Sequence, residues 1–139
     1  MLIKPLRNSF IMPTKGSEYA GAFDIYMPEP GSVGSIAEKI PLGFAAAVPY
    51  GHVGLLLPRS GTGAKFGLEL NNTCGVIDAD FRGEWMAVMR TKDGSVFTWN
   101  AGERILQCVV VPVLSVNLQL VKELEGTERG EGGFGSSGK

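Results

Sequence analysis

The chain has 139 residues, 44% hydrophobic and 19% charged, with 13 basic against 14 acidic side chains and a single histidine. That length suits one domain around one core, and the near-neutral balance excludes bulk electrostatic capture of nucleic acid or of an anionic membrane. No apolar run approaches the length of a bilayer span and no secretory apolar region opens the chain, so a cytoplasmic location is expected.

Strand-like runs lie, in chain order, at 22–27, 43–48, 53–57, 74–77, 85–90, 95–99 and 105–113. Each is rich in β-branched, aromatic or other apolar residues and is bounded by Gly, Pro, Asn or Asp. Helical periodicity is absent from any long stretch. The best helical candidate is one or two turns over 60–66, weakened by its glycines. Asp93-Gly94, between two runs, predicts a hairpin turn. Pro112 cannot donate to a ladder, so the last run should end, bulge or lie on an edge there. The pattern is all-β: a sandwich, jelly roll or barrel of short strands.

Cys74 and Cys108 sit beside apolar residues and read as small buried thiols rather than a disulfide. Asn71-Asn72-Thr73 matches a glycosylation sequon, which carries no meaning without a secretion signal. From residue 129 the chain changes in kind, because Arg-Gly-Glu-Gly-Gly-Phe-Gly-Ser-Ser-Gly-Lys is too glycine-rich for a regular element. It reads either as a disordered tail or as an arm that orders over a ligand. Arg129, closely spaced amides and two hydroxyls suit a polyanion, and Phe134 suits stacking on a planar group.

Residues 75–83, Gly-Val-Ile-Asp-Ala-Asp-Phe-Arg-Gly, carry two carboxylates and an arginine on an apolar segment. An extended run would place Asp78 and Asp80 on one face and Ile77 and Ala79 on the other. Carboxylates there need a partner, a metal or a wet pocket, so a solvent-facing hairpin and a functional one are equal readings. Gly130-x-Gly132-x-x-Gly135 fits the dinucleotide fingerprint in spacing alone, with no βαβ unit around it. Ser60-Gly-Thr-Gly-Ala-Lys65 lacks the spacing of a phosphate loop. What remains is Pro58-Arg59-Ser60-Gly61 at a strand end, which either caps the strand or binds phosphate oxygens. His52 follows a glycine in a turn, which disfavours a Ser-His-Asp relay, and one histidine with two distant cysteines disfavours zinc. Asp24, Asp78 and Asp80 together with ligand phosphates would suit magnesium.

In order along the chain these residues resemble the trimeric dUTPases. Ala22-Phe23-Asp24-Ile25-Tyr26 is similar to that family's first motif, Pro58-Arg59-Ser60-Gly61 to its second and Asn72 through Gly83 to its third. Gly102-Glu103-Arg104-Ile105-Leu106-Gln107 is similar to the fourth, and Arg129 through Gly138 to the glycine-rich fifth. The resemblance implies a distorted jelly-roll or β-clip-like domain over 1–128, with a flexible arm over 129–139. It implies hydrolysis of dUTP to dUMP and pyrophosphate by in-line attack of water on the α-phosphorus, which limits uracil in DNA and supplies dUMP for thymidylate synthesis. Asp78 would activate the water, and Asp24 would contact magnesium through water, the metal being held mainly by the triphosphate. Asn72 would read the uracil edge, with the backbone at Val76 and Ile77 completing base recognition. Phe81 stands where the family usually has tyrosine, its ring packed against the deoxyribose. Ser60, Gln107 and Arg129 would hold phosphates, and Phe134 would stack over the uracil; Arg59, Gly61, Met86, Gly135 and Ser136 complete the substrate-binding set, with Asp80 a structural charge. The family assembles its sites at the subunit interfaces of a homotrimer. A dCTP deaminase of the same fold and a nucleotide-switched protein-binding regulator are the alternatives.

Overall fold

Short apolar runs between turn residues fold as short strands in the computed structural model, which describes residues 1–136. In chain order they are β1 (Leu2–Pro5), β2 (Thr14–Lys15), β3 (Ala22–Tyr26), β4 (Gly31–Val33), β5 (Glu38–Ala47) and β6 (His52–Pro58). The helix α1 (Ser60–Phe66) follows, then β7 (Leu68–Leu70), β8 (Gly75–Ile77), β9 (Glu84–Thr91), β10 (Phe97–Trp99) and β11 (Arg104–Pro112). They form a four-stranded sheet ordered β1-β5-β9-β7, a five-stranded sheet ordered β2-β3-β11-β6-β8, and the pair β10-β4. The expected all-β, jelly-roll-like architecture is the one observed. Each expected run overlaps a strand, the helix falls on 60–66, and β11 ends at Pro112.

One core draws on both large sheets. Along β9, Trp85, Ala87 and Met89 point inward at every second position and meet Phe44 from β5, Ile25 from β3, Leu56 from β6 and Leu106 from β11. Phe44 packs against Trp85 with ring centroids 5.1 Å apart. Each such side chain contributes roughly 1.5–3 kcal/mol by leaving water. Cys108 is buried here and Cys74 is half-buried, a departure from the expectation of two buried thiols; neither forms a disulfide. Burial pushes the Cys108 thiol up to about 11. At pH 8 a thiol reagent should therefore modify folded protein at Cys74 and reach Cys108 only on unfolding. Labelling followed by peptide mapping checks this, and rapid modification of Cys108 in folded Cys74→Ser protein would contradict it.

Two expectations are corrected. Asp93-Gly94 does turn the chain, with Gly94 at φ +79° and Asp93 Oδ1 accepting from Ser95 N–H and Oγ–H at 3.0 and 2.7 Å. The flanking strands nevertheless do not pair: β9 lies between β5 and β7, while β10 pairs with β4. Residues 75–83 likewise form no hairpin ladder. β8 pairs with β6 (Gly54 opposite Ile77, Leu56 opposite Gly75), and the extended run stops at Ile77. Phe81 N–H then donates to Asp78 O at 3.2 Å, so Asp78–Phe81 is a turn and the alternation of faces does not extend through it.

Candidate active site

Antiparallel pairing of β11 with both β3 and β6 sets Gln107 beside Asp24 on one side and Leu57 on the other. Between Arg104 and Leu106 the β11–β3 register shifts, a bulge that inserts Ile105. It explains why Ile105 and Leu106 are consecutive yet both buried. It also leaves the Ile105 carbonyl to accept from Arg59 N–H at 3.0 Å and from Thr62 Oγ–H at 2.8 Å, which ties the start of α1 to β11. Gln107 Nε2 adds a bond to Pro58 O at 3.0 Å.

This arrangement surrounds a buried carboxylate. Asp24 is only 7% exposed. Its Oδ1 takes the Nε of Arg59 at 2.9 Å and its Oδ2 takes the Nη1 of Arg104 at 3.2 Å. Two guanidiniums offset the desolvation that would otherwise penalise a charge among apolar neighbours. Arg59 Nη1 also donates to Arg104 O at 3.0 Å, which locks the two arginines together. Asp24, Arg59, Ser60 and Gln107 line an open groove of about 420 Å³ with Gly16, Ala20–Ala22 and Val109. Sequence reasoning placed Arg104 in a motif without giving it a role; the charge of Asp24 in an apolar strand was the signal that a cation had to face it. Phe66, at the end of α1, packs on Phe97 with centroids 5.1 Å apart.

The other expected residues lie elsewhere. Asn72 is exposed in the turn between β7 and β8, its amide donating to Cys74 O at 3.1 Å. Val76 is 62% exposed, whereas the Ile77 side chain is buried in the core and leaves only backbone to a ligand. Met86 is half-buried on β9, on the face opposite Trp85 and Ala87. Asp78 and Phe81 are exposed at the ends of their turn. The strand β6 separates this group from the groove: Asp78 lies beyond Ile77, opposite the Gly54 end, and Arg59–Ser60 lies beyond Pro58. At about 3.3 Å per residue, Gly54 to Pro58 alone spans ~13 Å.

Residues 113–136 contain no helix or strand. Arg129 Nε bonds to Gly132 O at 2.9 Å and Gly130 N–H to Thr127 O at 3.0 Å, so this part of the arm bonds to itself. Phe134 is fully exposed with φ +45°, next to Gly135 at φ +96°, and Ser136 N–H donates to Gly133 O. Ser137, Gly138 and Lys139 lie outside the described residues.

The fold and groove define an all-β protein in which arginine, serine and glutamine converge beside a buried carboxylate at one strand end. The dUTPase family model matches residues 8–138. The deoxyuridine 5'-triphosphate nucleotidohydrolase of Syntrophotalea carbinolica is 37% identical over 98% of this chain and 95% of its own. The same enzyme from Haemophilus influenzae is 36% identical over 95% and 90%. Among solved structures, the Staphylococcus bacteriophage 80alpha dUTPase with dUpNHpp superposes with a TM-score of 0.89 at 29% identity, covering 99% of this chain and 98% of that one. The chain belongs to the dUTPase family.

Proposed function

We infer that the protein hydrolyses dUTP to dUMP and pyrophosphate, with magnesium, at sites completed between copies of a homotrimer. The observation that carries this reading is the convergence of Arg59, Ser60 and Gln107 around Asp24 on a chain of this family. Arg59, Ser60 and Gln107 bind the phosphates, Asn72 and the backbone at Val76–Ile77 hold the uracil, and Met86 supports that pocket from β9. Asp78 holds the attacking water and takes its proton. Magnesium, when bound, offsets charge on the phosphate oxygens. Among the described residues no group of three acidic, histidine or cysteine side chains forms a metal cage. Asp24 already accepts from two arginines yet keeps free lone pairs, which fits a metal held mainly by the triphosphate and reached through water.

Two observations support assembly. A base must lie within about one water of the atom it serves, and β6 holds Asp78 too far from this chain's own groove. Beyond β11, Leu114, Val116, Leu118 and Leu120 alternate along the chain at 71–99% exposure, a row of apolar side chains that a neighbouring copy would cover. The arm, Arg129 through Ser136, then reaches a neighbour's site, with Arg129 on phosphate and Phe134 on the base. Two unpaired thiols suit the cytoplasm, and no helix among the described residues is long and apolar enough to cross a membrane.

Pyrophosphate release compared for dUTP, dTTP, dCTP and UTP in the presence of magnesium tests the activity. No turnover of dUTP sinks it, and ammonia from dCTP would point to a deaminase. Deleting residues 129–139 should lower dUTP turnover by about tenfold or more by leaving the site open to water. It should leave the melting temperature unchanged, because among the described residues Arg129 to Ser136 bond only to one another and to Thr127. A thermal melt beside the turnover assay decides; an unfolded product would make the arm structural.

A further inference from the structure

The turn after β8 is held in shape by two residues to which the reading above gives no part. Arg82 reaches back over it, its Nη1 donating to Ala79 O at 2.7 Å and to Phe81 O at 2.9 Å. That nitrogen carries two hydrogens, so both bonds form at once. With the Phe81 N–H to Asp78 O bond, the turn is closed from both sides. Gly83 lies against the aromatic ring. A Cβ built on it would stand 2.7 Å from Cζ of Phe81 and 3.0 Å from Cε2, closer than real side chains pack. Gly83 is not among the glycines with positive φ, so its backbone would accept alanine without strain. The obstruction is the ring alone. The contacting atoms are the far end of a rotatable side chain, so a methyl group there would move the ring more readily than it would unfold the protein.

We propose that Arg82 and Gly83 are positioning residues that hold the Phe81 ring in place and through it set the discrimination between deoxyribo- and ribonucleoside triphosphates. The proposal rests on the reading of Phe81 as the ring that faces the sugar. Phenylalanine has no hydroxyl to tether its own tip, so the ring's position depends on the turn that carries it and the glycine it lies against. A ring displaced by a methyl group opens the space a 2′-hydroxyl needs and loosens contact with the deoxyribose. The effect should therefore fall on KM for dUTP and on the dUTP-to-UTP ratio, with kcat for dUTP less affected.

The test measures kcat/KM for dUTP and UTP in full-length Gly83→Ala, Arg82→Gln, Arg82→Lys, Phe81→Ala and the Phe81→Ala, Gly83→Ala double variant. Gly83→Ala should lower the dUTP-to-UTP ratio by about tenfold, the scale of one misplaced apolar contact in a specificity pocket. It should have no further effect once the ring is removed, because the two changes act through the same contact. Arg82→Gln, whose amide is too short to reach back to both carbonyls, should lower the ratio in the same direction, and Arg82→Lys, whose longer stem carries its N–H donors closer to them, should recover part of it. If Phe81→Ala leaves the ratio unchanged, the sugar-facing reading of Phe81 fails and the proposal falls with it. If Phe81→Ala shifts the ratio while Gly83→Ala and Arg82→Gln do not, that reading stands and the positioning role is overturned. An equal effect of Gly83→Ala with and without the ring also overturns it. Should Gly83→Ala fail to fold, the Arg82 pair decides alone, and a wild-type ratio in Arg82→Gln refutes the clamp.

Discussion

Asp78→Asn should lose most turnover, about 10²- to 10⁴-fold, while still binding nucleotide. Asp78 is exposed at the first position of the turn after β8, and among the described residues its carboxylate has no hydrogen-bond or ion-pair partner. Removing its charge therefore breaks nothing that holds the fold together, and the melting temperature should stay where it is. Asparagine keeps the shape and one acceptor oxygen, so a water can still be held, but the amide cannot take its proton. The loss should appear in kcat, with the Kd for dUpNHpp changed by no more than about threefold, or less than 1 kcal/mol. Asp80→Asn is the control: the residue is also exposed and unpaired among the described residues, two positions along the same turn. If Asp78→Asn turns over dUTP at a near-normal rate, or if Asp80→Asn is the variant that fails, the base has been misassigned.

The strands that carry the core were legible because their side chains alternate between core and surface. β9 buries every second residue from Trp85 to Thr91, and β6 and β11 are nearly continuous apolar runs in the middle of a sheet. β1 and β2 were not legible, being short and largely exposed, and neither was β4; each is a strand only because a partner offers it a ladder. The Asp93-Gly94 turn shows the same limit from the other side. Local chemistry made the turn, but the strand after it went to β4, where the Trp99 ring covers Gly31 so closely that a Cβ there would lie 2.5 Å from it. That fit is a property of two distant segments, and neither announces it alone. In the site, each motif was conspicuous because glycine, arginine and carboxylate stand out on a strand, but singly each kept a bland alternative and only their order along the chain decided between them. The pairing of Asp24 with Arg104 was not, since it depends on the bulge at Ile105, and a one-residue shift in register leaves no mark on composition.

Mixing two inactive variants should restore activity if the site is divided between copies as proposed above. One variant carries Asp78→Asn and keeps the groove. The other carries Ser60→Ala and Gln107→Ala and keeps the turn at Asp78; Ser60 is exposed and Gln107 gives up one bond to Pro58 O, so this chain should fold. Arg59 is left alone, because its loss would strip the buried Asp24 of one of its two partners. In the proposed assembly each site takes its groove from one copy and its base from another. After denaturation and refolding together in equal amounts, each half is intact with a chance of about one in two, so about a quarter of the sites should be whole. The mixture should then reach roughly a quarter of wild-type turnover from two parents that have almost none. If Asp78 instead served the groove of its own chain, no mixed site would hold both intact halves and the mixture would do no better than the average of its parents. The fraction does not depend on which copy lends the arm, because both variants carry Arg129 and Phe134 unchanged.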